Sequence, residues 1–116
     1  MKTLNATQLK NMLDRKEDFV LINVLSAKSF DEKHIPGSHN VPQESRSFID
    51  EVLSLAGDKH RKVVVYCASQ TCQASPTAAA KLKQAGFTNV FDFEDGIAGW
   101  ERAGYELTTS AVAASR

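Results

Sequence analysis

Two short, continuous apolar runs limit the folds open to this chain of 116 residues. They are residues 19–24 (FVLINV, with one asparagine) and residues 63–66 (VVVY). A strand with one solvated face alternates apolar and polar residues, whereas an unbroken run is typical of a strand buried on both faces of a parallel sheet. Segments with the apolar spacing of helices lie between and after these runs. The sequence therefore predicts an α/β fold, with a parallel sheet that helices cover on both faces.

The remaining elements follow from spacing and boundary residues. A first helix is predicted over residues 5–15, where Asn5 caps it and Gln8 completes a capping box. Short strands are predicted at residues 40–42 and 90–93, each bounded by turn or cap residues. Further helices are predicted over residues 26–33, over 48–56 before Gly57, over 75–84 before Gly86, and over 97–102.

Composition indicates one globular domain, with boundaries at residues 1–107, followed by a small, polar and flexible tail over 108–116. Lys and Arg number 14, as do Asp and Glu, so the net charge is zero and nothing favours nucleic acid or an acidic membrane as a partner. No long apolar stretch follows the first residues, so we expect no signal peptide and a cytoplasmic location.

The residue with the clearest chemical potential is Cys67, which follows the run 63–66 directly. Ligands bind beyond the carboxyl ends of parallel strands, and the start of the next helix stabilises an anion. We therefore expect a nucleophilic thiolate with a lowered pKa at Cys67, although a plain buried core cysteine is the alternative. The loop after it has no charged residue, so its backbone amides and neutral side chains must bind any substrate. The predicted substrate-binding residues are Ala68, Ser69, Gln70, Thr71, Cys72 and Gln73.

Five segments in order resemble the rhodanese family of single-domain sulfurtransferases. They are HIPGSHNVP at 34–42, VVVYC at 63–67, the helix after Ser75, GFTNV at 86–90 and EDGIAGW at 94–100. The resemblance extends from about Leu4 to Leu107 and implies a rhodanese-like fold, a five-stranded parallel sheet with helices on both faces. It also implies that Cys67 is catalytic and needs no cofactor. Cys67 would accept sulfane sulfur as a persulfide, cradled by loop amides from Ser69 onward, and pass it to a thiophilic acceptor. The donor would be a small-molecule or protein persulfide, polysulfide or thiosulfate, and the acceptor a thiol.

The chain departs from the usual family pattern at three places. Asn23 and Leu25 stand where the family usually has an aspartate and an arginine, and Asp95 stands where a glycine is common. The active loop is longer than usual and contains Cys72, as in a subset of the family with a second cysteine. Cys72 is interpreted either as a resolving thiol that attacks the Cys67 persulfide or as a small loop residue with no covalent role.

The two cysteines and the histidines also allow other functions. A redox-sensing or sulfur-binding regulatory module with a Cys67–Cys72 disulfide switch is the alternative. We expect no metal site, because four-residue gaps in the His34–His39 and Cys67–Cys72 pairs are not typical of zinc. A phosphatase is disfavoured because no arginine lies between Cys67 and Ser75 to grip phosphate.

Two further expectations concern charge. The acidic residues Asp92, Glu94 and Asp95 are interpreted as a solvated patch. The neutral loop predicts that a thiol persulfide is a better donor than thiosulfate, a dianion that is costly to bury without a cation.

Overall fold

The computed structural model describes residues 2–109 of the chain. A five-stranded, fully parallel sheet forms its centre, in the order β1–β5–β4–β2–β3. The strands are β1 (Lys2–Thr3), β2 (Val20–Asn23), β3 (His39–Asn40), β4 (Val63–Tyr66) and β5 (Val90–Phe93), and the helices are α1 (Ala6–Asp14), α2 (Ala27–Glu32), α3 (Phe48–Ala56), α4 (Ala74–Gln84) and α5 (Gly96–Arg102). The predicted α/β fold with a parallel sheet is confirmed.

Helices cover both faces of the sheet, as predicted. On one face α3 and α4 bury Phe48, Val52 and Leu82 against the strands. On the other face α1 and α5 bury Leu9 and Trp100. All four residues of β2 and all four of β4 are buried, because these strands are interior and covered from both sides.

Local signals set several element boundaries. The capping box of α1 is present, since Asn5 Oδ1 accepts from the Gln8 backbone N–H at 2.8 Å and Gln8 Oε1 accepts from the Asn5 N–H at 2.9 Å. Helix α3 covers the predicted residues and ends at Gly57, which has φ of +89°. Helix α4 begins one residue before the predicted start at Ser75.

Residue spacing predicts four of the five strands but not β1. Two residues are too few to carry a periodic signal, and Lys2–Thr3 is a strand only because β5 pairs with it.

The C-terminal end of the packed chain reaches slightly past the predicted boundary at residue 107. Thr108 forms a bridge with His34, with N–H···O distances of 2.9 Å in both directions. The rest of the predicted tail, residues 110–116, lies outside the described residues. Within the described part of the chain, no helix has the length and apolar character that a membrane span requires.

Candidate functional site

The site is built where the interior strand β4 ends. Cys67 follows Tyr66, is 0% exposed, and packs in the same core cluster as Val65. Strands β2 and β5 flank β4, so Cys67 lies near the middle of the carboxyl edge of the sheet. This is the edge at which open parallel sheets bind ligands.

The start of α5 fixes the first two residues of the active loop. The N–H of Ile97 donates to the Cys67 carbonyl at 3.0 Å, and the N–H of Ala98 donates to the Ala68 carbonyl at 2.9 Å. Gly96 makes this approach possible, because a Cβ there would lie 2.4 Å from the Cys67 oxygen and its φ is +62°. The sequence analysis did not assign Gly96 a role, although the glycine in the EDGIAGW segment was the available signal.

The surroundings of Cys67 Sγ favour the thiol over the thiolate. The carbonyl oxygens of Cys72 and Ser69 lie 3.5 Å and 4.0 Å from Sγ, and Ser75 Oγ lies 3.4 Å away. Carbonyl oxygens accept hydrogen bonds, so they stabilise an S–H group and repel an anion. Burial raises the pKa of Cys67, and its hydrogen bond with the Cys72 side chain raises it further. The predicted lowering of the Cys67 pKa is therefore wrong for this conformation, because desolvation outweighs the stabilisation that the Ser75 hydroxyl and N–H supply.

The loop amides converge on the second cysteine instead. Cys72 is partly exposed. Its partial burial alone would raise its pKa, but hydrogen bonds from the Cys67 side chain and from the N–H groups of Ala68 and Ala74 lower it. The expected amide cradle around Cys67 is thus corrected for this conformation: among the described residues, the hydrogen-bond partners of its Sγ are two carbonyl oxygens and the Ser75 hydroxyl.

This arrangement predicts an order of chemical modification. Near neutral pH, iodoacetamide should modify Cys72 first, with an inflection below the free-thiol value of about 8.5, since the thiolate is the reacting form. Tandem mass spectrometry of the peptide that holds both cysteines, taken at several times and pH values, measures this order. Faster modification of Cys67 would contradict the assignment, and Cys72→Ser and Cys67→Ser isolate the two rates.

The other predicted loop residues divide between two places. Ser69, Gln70 and Thr71 line a cavity of about 260 Å³ together with Ala98 and Arg102 of α5 and with Asp95, the residue just before that helix. Gln73 occupies the N-cap position of α4 without a side-chain capping bond. Arg102 places a cation beside the neutral loop, which the sequence did not predict because no spacing pattern connects residue 102 to residues 69–71.

An asparagine pair supports the loop after β2, where the chain departs from the family pattern. Asn23 Oδ1 accepts from the Leu25 N–H at 3.0 Å. Asn40 Nδ2 donates to the Leu25 carbonyl at 2.9 Å and to the Asn23 carbonyl at 3.2 Å. Leu25 then lines a second cavity, of about 290 Å³, with Gln43 and Ala74. Neutral amides thus position a segment for which the family usually has charged residues.

One residue of the predicted acidic patch is in the core. Asp92 is 1% exposed, whereas Glu94 is exposed, so the interpretation of the patch as solvated is wrong for Asp92. The side chain points inward because Asp92 stands on β5, opposite Val65 of β4.

The histidines do not join the cysteines. His34 stacks on Phe30 at 3.7 Å between ring centroids, and its Nδ1 lies 2.7 Å from the Phe30 carbonyl oxygen. Across residues 2–109, no group of three or more His, Cys, Asp and Glu side chains has the arrangement of a metal site.

Comparisons with known proteins agree with the geometry. The family model of the rhodanese-like domain matches residues 5–103. Thiosulfate sulfurtransferase GlpE of Pseudomonas savastanoi pv. phaseolicola is 34% identical over 91 residues, which is 78% of this chain and 79% of that protein. The HTH-type transcriptional regulator Rv0324 of Mycobacterium tuberculosis is 30% identical over 102 residues, which is 86% of this chain but 43% of that protein.

The fold is also similar to solved structures. The crystal structure of the Alr3790 protein from Anabaena sp. superposes with a TM-score of 0.82 at 26% identity, covering 97% of this chain and 86% of that one. The match of the family model over residues 5–103, which is most of the chain, settles the family. The chain belongs to the rhodanese-like domain family.

Proposed function

We propose that the chain is a sulfurtransferase in which Cys67 carries sulfane sulfur as a persulfide and passes it to a thiophilic acceptor. The observation that carries the proposal is the position of the Cys67 thiol at the carboxyl end of β4, enclosed by the loop that α5 holds in place. Sulfur transfer requires a thiol to form the new S–S bond, and Cys67 stands at the start of a loop that contains a second thiol, Cys72. The similarity to GlpE, a thiosulfate sulfurtransferase, supports the same reaction class.

Mass spectrometry after incubation with a sulfur donor tests the proposal. The chain is mixed with glutathione persulfide, polysulfide or thiosulfate, freed of excess donor, and alkylated. We expect the mass of one added sulfur atom on Cys67, and loss of that mass when cyanide or a thiol is added before the alkylation step. An intact chain that gains no sulfur from any of the three donors would contradict the proposal.

A second function has specific support from the contact between the two thiols. Cys67 Sγ lies 3.5 Å from the carbonyl oxygen of Cys72, so the two cysteines are neighbours in one loop, and each thiol influences the pKa of the other. A redox switch would use an oxidant such as hydrogen peroxide to join the two sulfur atoms, with the oxidant reduced to water. The same mass measurement separates the functions, since a switch gives only an intramolecular disulfide and gains no sulfur from donors.

Donor preference is a further prediction. Ser69, Gln70 and Thr71 carry no charge, so we expect a higher kcat/KM for a thiol persulfide than for thiosulfate. Steady-state kinetics with both donors measure this. If thiosulfate is preferred, the absence of charge in the loop does not determine the choice of donor. Arg102→Gln then tests the cation that lines the cavity beside these residues, and it should reduce thiosulfate use selectively.

A further inference from the structure

A thiol as enclosed as Cys67 needs a group to take its proton before it can attack a donor. The carbonyl oxygens of Ser69 and Cys72 and the depth of burial all favour the protonated form. No histidine stands in the loop, and the thiol has one side-chain oxygen within hydrogen-bonding distance, Ser75 Oγ at 3.4 Å. A hydroxyl can pass a proton on only if a second acceptor lies behind it.

The second acceptor is a buried carboxyl group on the neighbouring strand. Asp92 pairs in register with Val65 of β4, and opposed residues of paired strands share a face. Val65 and Cys67, two positions apart, pack in the same core cluster, so the Asp92 side chain belongs to the face that carries Cys67. Helix α4, which contains Ser75 in its first turn, packs on β4 and β5 at this face.

Nothing in the described part of the chain neutralises this carboxylate. Asp92 is 1% exposed, and neither of its oxygens has a close hydrogen-bond partner. None of the ion pairs within residues 2–109 includes Asp92. Leaving a buried charge without a partner is costly, so a structural role alone does not explain an aspartate here.

The ionisable groups around Asp92 favour proton uptake. Burial raises its pKa, the Ser75 hydroxyl lowers it, and the charge of Glu94 raises it. Its charge in turn acts on Cys72. On β1, Thr3 is its neighbour in register. Lys2 of β1 and Lys62, just before β4, lie over the Phe91 ring, which packs on the opposite face of the sheet.

The remaining nearby cations are occupied or distant from this face. Lys81 of α4 donates to the carbonyl oxygen of Gln43 at 2.7 Å. Arg102 lines the cavity with Ser69 and Thr71, and Asp92 is not among the residues that line this cavity.

We propose that Asp92 accepts the proton of Cys67 through the hydroxyl of Ser75 when Cys67 takes up sulfur. No hydrogen bond joins Asp92 to Ser75 in the resting conformation, so the relay requires these two side chains to turn toward each other. The proposal rests on the function proposed above and adds a residue to its first step. Asp92 is a positioning residue, since it touches neither donor nor acceptor. Ser75 has a single hydroxyl proton, so it can donate to either Cys67 or Asp92 but not to both at once.

The step balances in atoms and electrons. The Cys67 S–H bond breaks as its proton joins Ser75 Oγ, and the proton that Ser75 held moves to an Asp92 carboxylate oxygen. The Cys67 thiolate then attacks the outer sulfur of a donor R–S–SH. A new S–S bond forms, the old one breaks, and the donor leaves as the thiolate R–S⁻ with the electron pair. One negative charge is present throughout, and it never has to share the enclosed site with a second one.

Alkylation of Cys67 tests this independently of sulfur transfer. The full chain with Cys72→Ser leaves Cys67 as the only thiol, and the rate of its reaction with iodoacetamide is measured against pH. We expect Asp92→Asn to slow this reaction about 100-fold near neutral pH, a typical loss when a general base is removed. In the parent, the alkylation rate of Cys67 should rise with pH as Asp92 loses its proton, and this rise should be absent from Asp92→Asn. Ser75→Ala should show the same loss, and combining the two substitutions should add little.

The sign of the effect separates the proposal from a simple charge effect. If Asp92 acted only by its negative charge, removing the charge would ease ionisation of Cys67 and speed the reaction. Glu94→Gln is the matched control, because it removes an equal charge that is exposed and outside the relay, and it should not slow alkylation. Thermal unfolding of each variant checks that the fold is kept.

The outcomes are distinct. A rate in Asp92→Asn equal to or above that of the parent overturns the relay. An Asp92-dependent rate in a chain that accepts no sulfur from any donor would keep the relay and reject the sulfurtransferase function. Equal slowing by Glu94→Gln would also overturn the relay, because it would show that the loss is not specific to the carboxyl group behind Ser75.

Discussion

Replacing Cys67 with serine is expected to reduce sulfur transfer at least about a thousandfold, with no persulfide detectable on the chain. A serine oxygen cannot form the S–S bond that holds sulfane sulfur, and no hydroxyl has the nucleophilicity of a thiolate. Sulfur and oxygen differ little in size, and the Ser75 hydroxyl can still bond to the new side chain, so the fold should survive. Transfer from donor to cyanide, with mass spectrometry of the intact chain, measures both effects.

Cys72→Ser is the matched control, because it makes the same atomic change five residues along the same loop. It keeps the proposed carrier and should still acquire sulfur on Cys67. Both cysteines are candidates for the sulfur carrier, since the lowered pKa of Cys72 makes it the more reactive thiol in the resting conformation. If Cys67→Ser retains near-normal transfer while Cys72→Ser loses it, then Cys72 is the carrier and our assignment is wrong.

Gly96→Ala is expected to have the next largest effect, by disturbing the site from outside the loop. The new Cβ would lie 2.4 Å from the Cys67 oxygen and 2.9 Å from the Ser69 nitrogen, both of which are backbone atoms that cannot rotate away. The φ of +62° adds strain for any residue with a side chain. Strain and overpacking together should lower the free energy of unfolding by about 3 kcal/mol and reduce sulfur transfer at least about tenfold.

Gly57→Ala tests the backbone strain of a positive φ without the close contact to the loop that Gly96 makes. Gly57 also has a positive φ, of +89°, but a Cβ there meets nothing within 4 Å. This variant should lose about 1 kcal/mol of stability and keep full activity. Chemical denaturation and transfer assays on both variants measure the difference. If the two alanines behave alike, then the contact between Gly96 and the loop does not support the site.

Much of the architecture was determined by the sequence. The apolar runs of β2 and β4 identified interior strands of a parallel sheet, because only such strands are apolar on both faces. The capping box begins α1 and Gly57 ends α3, and both signals act between residues that are close together in the sequence. Since Cys67 ends one of the interior strands, the sequence also predicted which residue would stand at the ligand-binding edge of the sheet.

The tertiary structure alone decided the electrostatics of the site. The sequence placed both cysteines in one loop, but the loop conformation determines that amide groups face Cys72 while carbonyl oxygens face Cys67. The direction of each pKa shift depends on that conformation and on burial, and neither is a local property of the sequence.

The same limit applies to residues that act from distant parts of the chain. Gly96 reaches the Cys67 carbonyl, Arg102 reaches the cavity beside Thr71, and Asp92 reaches the face of Cys67. Spacing along the chain reports which residues share a helix face or a strand face, and these groups meet only because β5 pairs with β4 and α5 docks on the loop. The sequence thus determined the fold and the position of the thiol, whereas pairing and packing decided which groups surround that thiol and what charge it can carry.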